Sequence, residues 1–415
     1  MGSSVGANIR RLREERGWSQ ARLARETCRA AGIQGEPIGR QEISRYENGK
    51  RTPREWLPFI ADALSVPVEA LRTSSAPPEP PPPTLADYLP EGAPLAPLSA
   101  TRGRRVGVAA VADLQQRVHG LRLADDVIAG GDLLRPALRE LRSAVKLFRE
   151  GSHTEAIGRS LLQVIGELAQ IAGWIASDAG QHGGAERIYR LGLSAAHTAG
   201  DATLAGNLLG SLAYQRTNTG DVREGLAMAR AALENASEAP PRARALYFDR
   251  VAWAHTKAGE AQPAMRALSE AGEALARHGD EEDPAYVYWV DAGELRVMEA
   301  RVYTELHRPL RAVPLLRDVL SRYDATHTRE LALYLSWLAV ALADANEPEE
   351  AAITAERVIS LSSDITSERT AERVRVVLAR LEAFQDVPEV RALLTRPTRS
   401  DSVRHRRSGR PPAPY

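Results

Sequence analysis

Apolar residues recur at three- and four-residue spacing through almost every window of residues 106–395. Alanine and leucine dominate these positions and runs of β-branched residues are few, which favours helix over strand. No alternating pattern typical of a strand stands out in the region. The pattern therefore predicts consecutive helices over residues 106–395.

The helical region also repeats itself. Five turn residues are each followed, five positions later, by a small residue: Gly180 with Ala185, Gly220 with Gly225, Gly259 with Ala264, His307 with Ala312, and Asn346 with Ala351. The steps between these turn residues are 40, 39, 48 and 39 residues. A single helix pair cannot bury its apolar face alone, so five pairs in a row predict an α-solenoid with one continuous core. Residues 106–160 and 368–395 are expected to supply leading and capping helices.

The N-terminal part of the chain has a different organisation. Five short helices are predicted within residues 1–72, at 9–16, 20–28, 40–48, 54–63 and 68–71, with Ser19 as the N-cap of the second and Gly49 ending the third. Residues 73–105 are rich in proline and are expected to form a semi-rigid linker. Residues 396–415 are rich in Arg, Ser and Pro and are expected to form a basic disordered tail. The fold class is therefore all-α.

Two motif sets carry resemblances to known families. The matching N-terminal residues are Ile9, Leu12 and Arg13, Trp18-Ser19-Gln20 with Leu23 and Ala24, and the run from Ile43 to Pro53. Over some 65 residues this pattern resembles the lambda-repressor-like helix-turn-helix of the Cro-type, xenobiotic-response-element family. The helix pairs, with small residues at close helix contacts, are similar to tetratricopeptide repeats, although the units are longer than the usual 34 residues of that family.

The third predicted helix suits the major groove of DNA. Ile43 and Tyr46 lie three apart on one face, which leaves arginine and glutamine side chains on the other, and these pair with guanine and adenine respectively. Residues at the start of the second helix and after the third are expected to hold phosphates. The predicted DNA-binding residues are Gln20, Arg40, Gln41, Ser44, Arg45, Asn48, Lys50 and Arg51.

The helix-turn-helix resemblance further implies an ion pair between Arg13 and Glu47 that ties the first helix to the third. The chain also departs from the family, because residues 29–38 form an insertion with two glycines and a proline where the family has a tight turn. This insertion leaves open the angle and reach of the third helix.

A ligand surface is predicted inside the solenoid. If the first helix of each repeat lines the concave face, as the resemblance implies, the positions six residues before each turn residue fall into line, and three of them are aromatic. Aromatic anchors with a few placed polar groups can bind peptides or small molecules, but the same aromatics can also simply pack helix against helix. The predicted ligand-binding residues are Trp174, Tyr214, Asn218, Asp249, Trp253, Lys257, Glu294 and Arg301.

Charge and composition narrow the class of protein. Acids and bases balance at 54 each, so DNA affinity has to come from a local patch. The single cysteine, Cys28, can form no internal disulfide, and the chain has no apolar run long enough for a membrane span and no signal peptide, so a cytoplasmic location is expected. The motifs of nucleotide-binding loops, dinucleotide folds and metal centres are absent, so neither catalysis, a cofactor nor a metal site is expected.

These observations predict a sequence-specific DNA-binding transcriptional regulator. Its repeat domain would make a homodimer on an inverted-repeat operator in double-stranded DNA and would bind a peptide, small-molecule or protein effector, with no membrane partner. Proteins of this domain arrangement include peptide-sensing regulators, which supports the effector by analogy only. The alternative is a repeat-type protein-interaction adaptor that uses its helix-turn-helix domain as a docking module.

Overall fold

The structure is a computed structural model that describes residues 3–33, 35, 37–72, 82–91, 95, 97–128, 130–277, 282–323, 327–363, 365 and 367–395. The chain divides into two compact units, residues 1–81 and residues 82–415. The predicted tail, 396–415, and residues 73–81 of the predicted linker lie outside the described residues.

The N-terminal unit contains the five predicted helices: α1 (Ser3–Glu15), α2 (Gln20–Ala30), α3 (Arg40–Glu47), α4 (Leu57–Ala63) and α5 (Val68–Arg72). Ser19 caps α2 as predicted, because its side chain accepts a hydrogen bond from the backbone N–H of Arg22. Ile9, Leu23 and Ile43 are fully buried and join α1, α2 and α3 in one core. Gly49 follows α3 in the left-handed conformation, at φ 66°.

The C-terminal unit is built from helices, with two very short strands. The helices are α6 (Val108–Val127), α7 (Gly130–Glu150), α8 (Glu155–Asp178), α9 (His182–Ala199), α10 (Ala202–Asn218), α11 (Val222–Asn235), α12 (Pro241–Lys257), α13 (Ala261–Ala276), α14 (Ala292–Glu305), α15 (Pro309–Leu320), α16 (Thr328–Asp344), α17 (Pro348–Ser362), α18 (Glu368–Leu381) and α19 (Pro388–Leu394). The strands β1 (Arg104–Arg105) and β2 (Gly151–Ser152) pair in parallel. Short 3-10 turns lie at Leu85–Tyr88, Ala285–Val287 and Glu382–Phe384. Helices α8 to α17 form five successive pairs, so the predicted α-solenoid fold is confirmed.

The five turn residues found in the sequence share one backbone conformation. All are left-handed, with φ of 75° at Gly180, 103° at Gly220, 75° at Gly259, 53° at His307 and 63° at Asn346. Glycine adopts this conformation without strain, and Asn and His are the other residue types enriched in it, so one turn geometry serves all five pairs. The small residue five positions later is buried in every pair.

The C-terminal unit begins before the first solenoid helix. Leu85, Tyr88 and Leu95 are buried in the same core as the helices that follow. At Gly103, with φ of 100°, a Cβ atom would lie 1.8 Å from the carbonyl oxygen of Glu150, so the backbone there is pressed against the end of α7. The described residues of 82–105, a stretch that the proline content assigns to a linker, thus pack against the helices of the C-terminal unit through Leu85, Tyr88, Leu95 and Gly103.

The C-terminal unit curves until α6, before the first helix pair, meets α16, the first helix of the last pair. Arg329 of α16 donates two hydrogen bonds, of 3.0 and 3.1 Å, to the carboxylate of Asp125 in α6, 204 residues earlier in the sequence. On the same side, the hydroxyl of Ser367, just before α18, donates to Asp178 at the end of α8 at 3.0 Å. These contacts close the superhelix around a central space lined by the first helix of each pair.

Among the described residues, none of the helices combines the length and the apolar character that crossing a membrane requires.

Candidate DNA interface and inner-wall cavities

Helix α3 presents the predicted base-contacting residues on its outer face. Ile43 and Tyr46 are buried against α1 and α2, as predicted, while Arg40, Gln41 and Arg45 are exposed. Gly39 precedes α3 in extended conformation without a side-chain cap, so the first backbone N–H groups of the helix have no capping side chain. The face therefore combines arginine and glutamine side chains with an uncapped helix N-terminus.

Glu42 organises the arginines around this face. Its carboxylate accepts a hydrogen bond from Arg45 at 2.6 Å and another from Arg51 at 3.1 Å. Nearby, Asn48 donates to the carbonyl oxygen of Ser44 at 2.8 Å, which fixes the end of α3. Lys50 is exposed at the same end. Glu42 was not among the residues predicted for the interface, although its position one turn before Arg45 was a signal for this ion pair.

A second carboxylate lies under the interface. Glu47 is buried and forms the ion pair with Arg13 that the family resemblance implies, at 2.6 and 3.1 Å. The side-chain amide of Gln20 also donates to Glu47, at 2.7 Å. Gln20, predicted to hold a phosphate, is thus held by a carboxylate here, and it ties the start of α2 to the end of α3.

Most of the insertion lies between α2 and α3, and only its first two residues extend α2. Helix α2 continues to Ala30, Gly32 and Gly35 take left-handed conformations at φ 67° and 119°, and Ile38 returns to the core. Residues 34 and 36 lie outside the described residues. Because Ile38 is buried beside Cys28, the end of the insertion is anchored before α3 begins.

The aromatic residues predicted for the inner wall contact one another in sequence order. The ring centroids of Trp174 and Tyr214 lie 5.8 Å apart and nearly parallel, and those of Tyr214 and Trp253 lie 6.3 Å apart. Trp337 of α16 extends the row, edge-on to Trp253 at 5.7 Å. Trp253 and Trp337 are buried, whereas Trp174 and Tyr214 are only half-buried. The ladder is therefore core at one end and accessible at the other.

Arginine side chains alternate with these rings. The guanidinium of Arg250 lies 4.6 Å from the centroid of Tyr214, and that of Arg301 lies 4.6 Å from the centroid of Trp253. Arg301 also donates a hydrogen bond to the hydroxyl of Tyr214 at 2.6 Å. Burial by itself raises the pKa of the Tyr214 phenol. The surrounding arginines, Arg301 first, lower this pKa by more than burial raises it, and the result is a pKa of about 8.

Two adjoining cavities open along the inner wall. The first, of about 700 Å³, is lined by residues that include Trp174, Tyr214, Arg250 and Glu294. The second, of about 570 Å³, shares Trp174, Tyr214, Arg301 and Arg369 with the first and adds Trp253 and further residues of α18. Both are in the size range of cavities that hold small molecules.

Most of the predicted ligand residues line these cavities, but several already have partners in the protein. Asn218 accepts a hydrogen bond from the indole N–H of Trp253 at 3.0 Å, and Lys257 forms an ion pair with Glu305. Glu294 accepts a hydrogen bond from Tyr334, and burial raises the pKa of Glu294. Asp249 lines neither cavity and is paired with Arg250 at 3.2 Å.

Sequence reasoning named Arg301 but missed the other arginines of the wall, Arg250, Arg369 and Arg373, and one of its aromatics, Trp337. Trp337 lies one helical turn before Val340, the position that the repeat alignment selected, and Arg250 lies one turn before Trp253. Arg369 and Arg373 belong to α18, which was predicted only as a capping helix. Their spacing of four residues places both arginines on one face of α18, and this spacing was the only signal in the sequence that they share a surface.

Comparison with known proteins identifies the domain type of the N-terminal unit. Residues 4–73 match the family model of a helix-turn-helix domain. No curated protein matches the chain. Among solved structures, the chain is similar to Bacillus thuringiensis PlcR, crystallised in complex with the peptide PapR7 and DNA. The sequence identity is 14%, the TM-score is 0.35, and the match covers 80% of this chain and 99% of that one.

The family match coincides with the helices built above. It spans α1 to α5, including the buried ion pair of Arg13 and Glu47 and the exposed face of α3. The N-terminal unit of this chain is therefore a helix-turn-helix domain.

Proposed function

We propose that the chain is a sequence-specific DNA-binding transcriptional regulator. The observation that carries this proposal is the exposed face of α3 in a helix-turn-helix domain, with Arg40, Gln41 and Arg45 directed away from the core. Arginine donates two hydrogen bonds to guanine and glutamine pairs with adenine, so this face has the side chains that distinguish base pairs in the major groove. Lys50 and Arg51, after the helix, are the candidates for phosphate contacts, which set the register of the domain on DNA.

Glu42 gives this surface a means of selecting sequence. It neutralises Arg45 and Arg51 in the free protein and orients both guanidinium groups. In the major groove, a carboxylate repels phosphate and accepts a hydrogen bond only from a base donor such as the cytosine amino group. Glu42→Gln should therefore raise affinity for all duplexes and reduce the preference among them.

The solenoid is proposed to bind an effector in its inner-wall cavities. The accessible end of the aromatic ladder, at Trp174 and Tyr214, offers flat surfaces, and Arg301 offers donors beside them. A peptide, a small molecule or a segment of a protein partner could use these groups. Binding there would change how the DNA-binding domains are presented.

The regulator is further proposed to act as a homodimer on an inverted-repeat operator. A single domain of this type contacts one half-site, and the half-sites of such operators lie about 34 Å apart. Joining two domains makes the second contact intramolecular and raises avidity by about 10²–10⁴ without new contacts. Light scattering of the full chain tests this arrangement, because a monomer at micromolar concentration would contradict it. Selection of DNA sites without two-fold symmetry would contradict it as well.

The deciding experiment selects preferred duplexes with the full chain and then measures their affinity as a function of salt concentration. Gln41→Ala and Arg45→Ala should each cost about 1–3 kcal/mol on the preferred duplex and relax its sequence preference. Lys50→Ala should weaken all duplexes alike and lower the salt slope by about one unit. Arg10→Ala, which removes an equally exposed arginine of α1 paired with Glu14, is the matched control and should have little effect.

The alternative, an adaptor that uses its helix-turn-helix domain to dock proteins, predicts a different outcome. Selection would then enrich no duplex over random DNA, and the four variants would bind DNA equally weakly. That result would overturn the regulator.

A further inference from the structure

Three arginines that face the second cavity have no ion pair among the residues that the structure describes. Arg301 of α14, Arg369 and Arg373 of α18 all line this cavity. Among the described residues, most other buried or half-buried arginines of the solenoid have an ion pair, such as Arg329 with Asp125 and Arg122 with Glu167. Within the described part of the chain, these three have polar and ring contacts but form no ion pair.

The polar contacts of the three arginines leave donors unused. Arg301 donates to Tyr214, and Arg373 donates through Nε to the hydroxyl of Ser336 at 3.0 Å. Nη2 of Arg373 and Nε of Arg301 are buried and have no hydrogen-bond partner. Arg369 lies against the ring of Trp174 at 5.3 Å. A buried cation without a paired anion is costly, so the chain keeps these groups at a cost in stability.

The electrostatics of the cavity agree with this geometry. Burial lowers the pKa of the Arg373 guanidinium, Glu305 raises it and Arg301 lowers it, and the result is a pKa of about 10. Glu305 and Glu372 are the carboxylates that face Arg373, but neither comes within ion-pair distance of it. Four carboxylates also line this cavity, but Glu305 is paired with Lys257, Glu368 and Glu372 are paired with Arg375, and Asp178 lies 3.7 Å from Arg329. The charge of the three arginines is therefore not neutralised by an ion pair, in a partly desolvated place where electrostatic attraction is stronger than in water.

We propose that the second cavity binds an anionic group, a carboxylate or a phosphate, between Arg301, Arg369 and Arg373. This inference rests on the proposed effector role of the solenoid and names the chemistry of its ligand. The aromatic rings beside the arginines place a second requirement on the ligand. The guanidinium of Arg373 lies 3.6 Å from the ring centroid of Trp337, and the half-buried ring of Trp174 is within reach of Arg369. A ligand that joins an anionic group to a planar apolar body would pair with the arginines and pack against these rings.

The experiment titrates the full chain with simple anions and follows tryptophan fluorescence and thermal unfolding. Benzoate represents a carboxylate on a planar body, inorganic phosphate represents a phosphate, and benzamide is the neutral counterpart of benzoate. Saturation at millimolar concentration is expected for at least one anion, with no response to benzamide. A response to benzoate alone assigns a carboxylate and a response to phosphate alone assigns a phosphate, and either supports the proposal. Equal responses to benzoate and benzamide, or no response to either anion, would overturn it.

Variants on α18 separate the anion site from general stability. Arg373→Met should weaken anion binding by about tenfold or more while leaving the melting temperature equal to or above that of the wild type, because an unpaired buried cation is removed. Arg380→Met is the matched control. It removes an exposed arginine from the same helix whose partner, Asp344, lines neither cavity, so anion binding should not change. An unchanged anion response in Arg373→Met would contradict the proposal.

The DNA-binding function can be scored independently. If the chain selects an operator but shows no anion response, the proposed anion site is wrong and the proposed DNA-binding function is supported. If the anion binds but no duplex is selected, the regulator is wrong and the cavity assignment stands.

Discussion

The contact that closes the superhelix makes a quantitative prediction. Arg329 donates to Asp125 at 3.0 and 3.1 Å and to Glu330 at 2.8 Å, and it lies 3.7 Å from Asp178. The side chains of Arg329, Asp125 and Asp178 are 5%, 7% and 1% exposed. Arg329→Met keeps the apolar stem and removes the charge, which leaves buried carboxylates without their cation. Breaking a buried ion pair in this way costs about 3–5 kcal/mol.

The matched control is Arg317→Met on α15. Arg317 is paired with Glu350, but both side chains are about half exposed, so its loss should change the free energy of unfolding by no more than about 1 kcal/mol. Chemical denaturation of the full chain, followed by tryptophan fluorescence, measures both. The double variant Asp125→Leu/Arg329→Met should recover part of the loss, because one of the stranded carboxylates is gone. If Arg329→Met costs no more than Arg317→Met, the contact does not hold the superhelix closed.

The pH dependence of this loss provides a second check. Burial raises the pKa of Asp125 and Arg329 lowers it, so removing Arg329 raises it further above the value of about 3.9 in the unfolded chain. A carboxyl group whose pKa is higher in the folded state binds more protons there, so stability falls as pH rises through the window between the two values. The penalty of Arg329→Met should therefore shrink as pH is lowered towards 4. A penalty that grows on acidification would refute the reasoning.

Two further predictions concern packing and titration. Gly225→Ala should destabilise the solenoid by about 1–3 kcal/mol, because the added Cβ would lie 2.3 Å from Oγ1 of Thr217. Gly272→Ala places its Cβ in open space and should stabilise the helix by up to about 1 kcal/mol. Equal melting temperatures of the two variants would contradict this prediction. The pKa of Tyr214 is about 8, against about 10 in the unfolded chain, so its phenolate contributes stability above pH 10 that is lost as pH falls through 8. Ultraviolet absorbance should show one tyrosine ionising near pH 8 that is missing in Tyr214→Phe, and anion binding beside Arg301 should weaken over the same range.

The sequence by itself determined the local structure. The spacing of apolar residues gave the helices, and Ser19 at the start of α2 and Gly49 after α3 marked helix ends because caps act through neighbouring backbone groups. The repeat of turn residues located all five helix pairs, including those where His307 and Asn346 replace glycine. These features depend on contacts between residues that are close in the sequence, so the sequence alone is enough to predict them.

The same local logic predicted part of each candidate site. The exposed face of α3 follows from the helical period once Ile43 and Tyr46 are assigned to the core. The row of Trp174, Tyr214 and Trp253 follows from the repeat period, since equivalent positions of stacked repeats lie side by side.

Tertiary structure decided which of these side chains remain available. Gln20 has the composition of a phosphate ligand, but Glu47, 27 residues away, accepts its amide hydrogen. Arg329 meets Asp125 across 204 residues because the curvature of the superhelix brings α16 to α6. Arg373 enters the cavity for the same reason, since α18 packs beside α16 and closes the inner wall. The small rotation between successive repeats adds up over the whole solenoid, so the closure and the charge it leaves inside depend on the packing of every pair and are not written in any single segment.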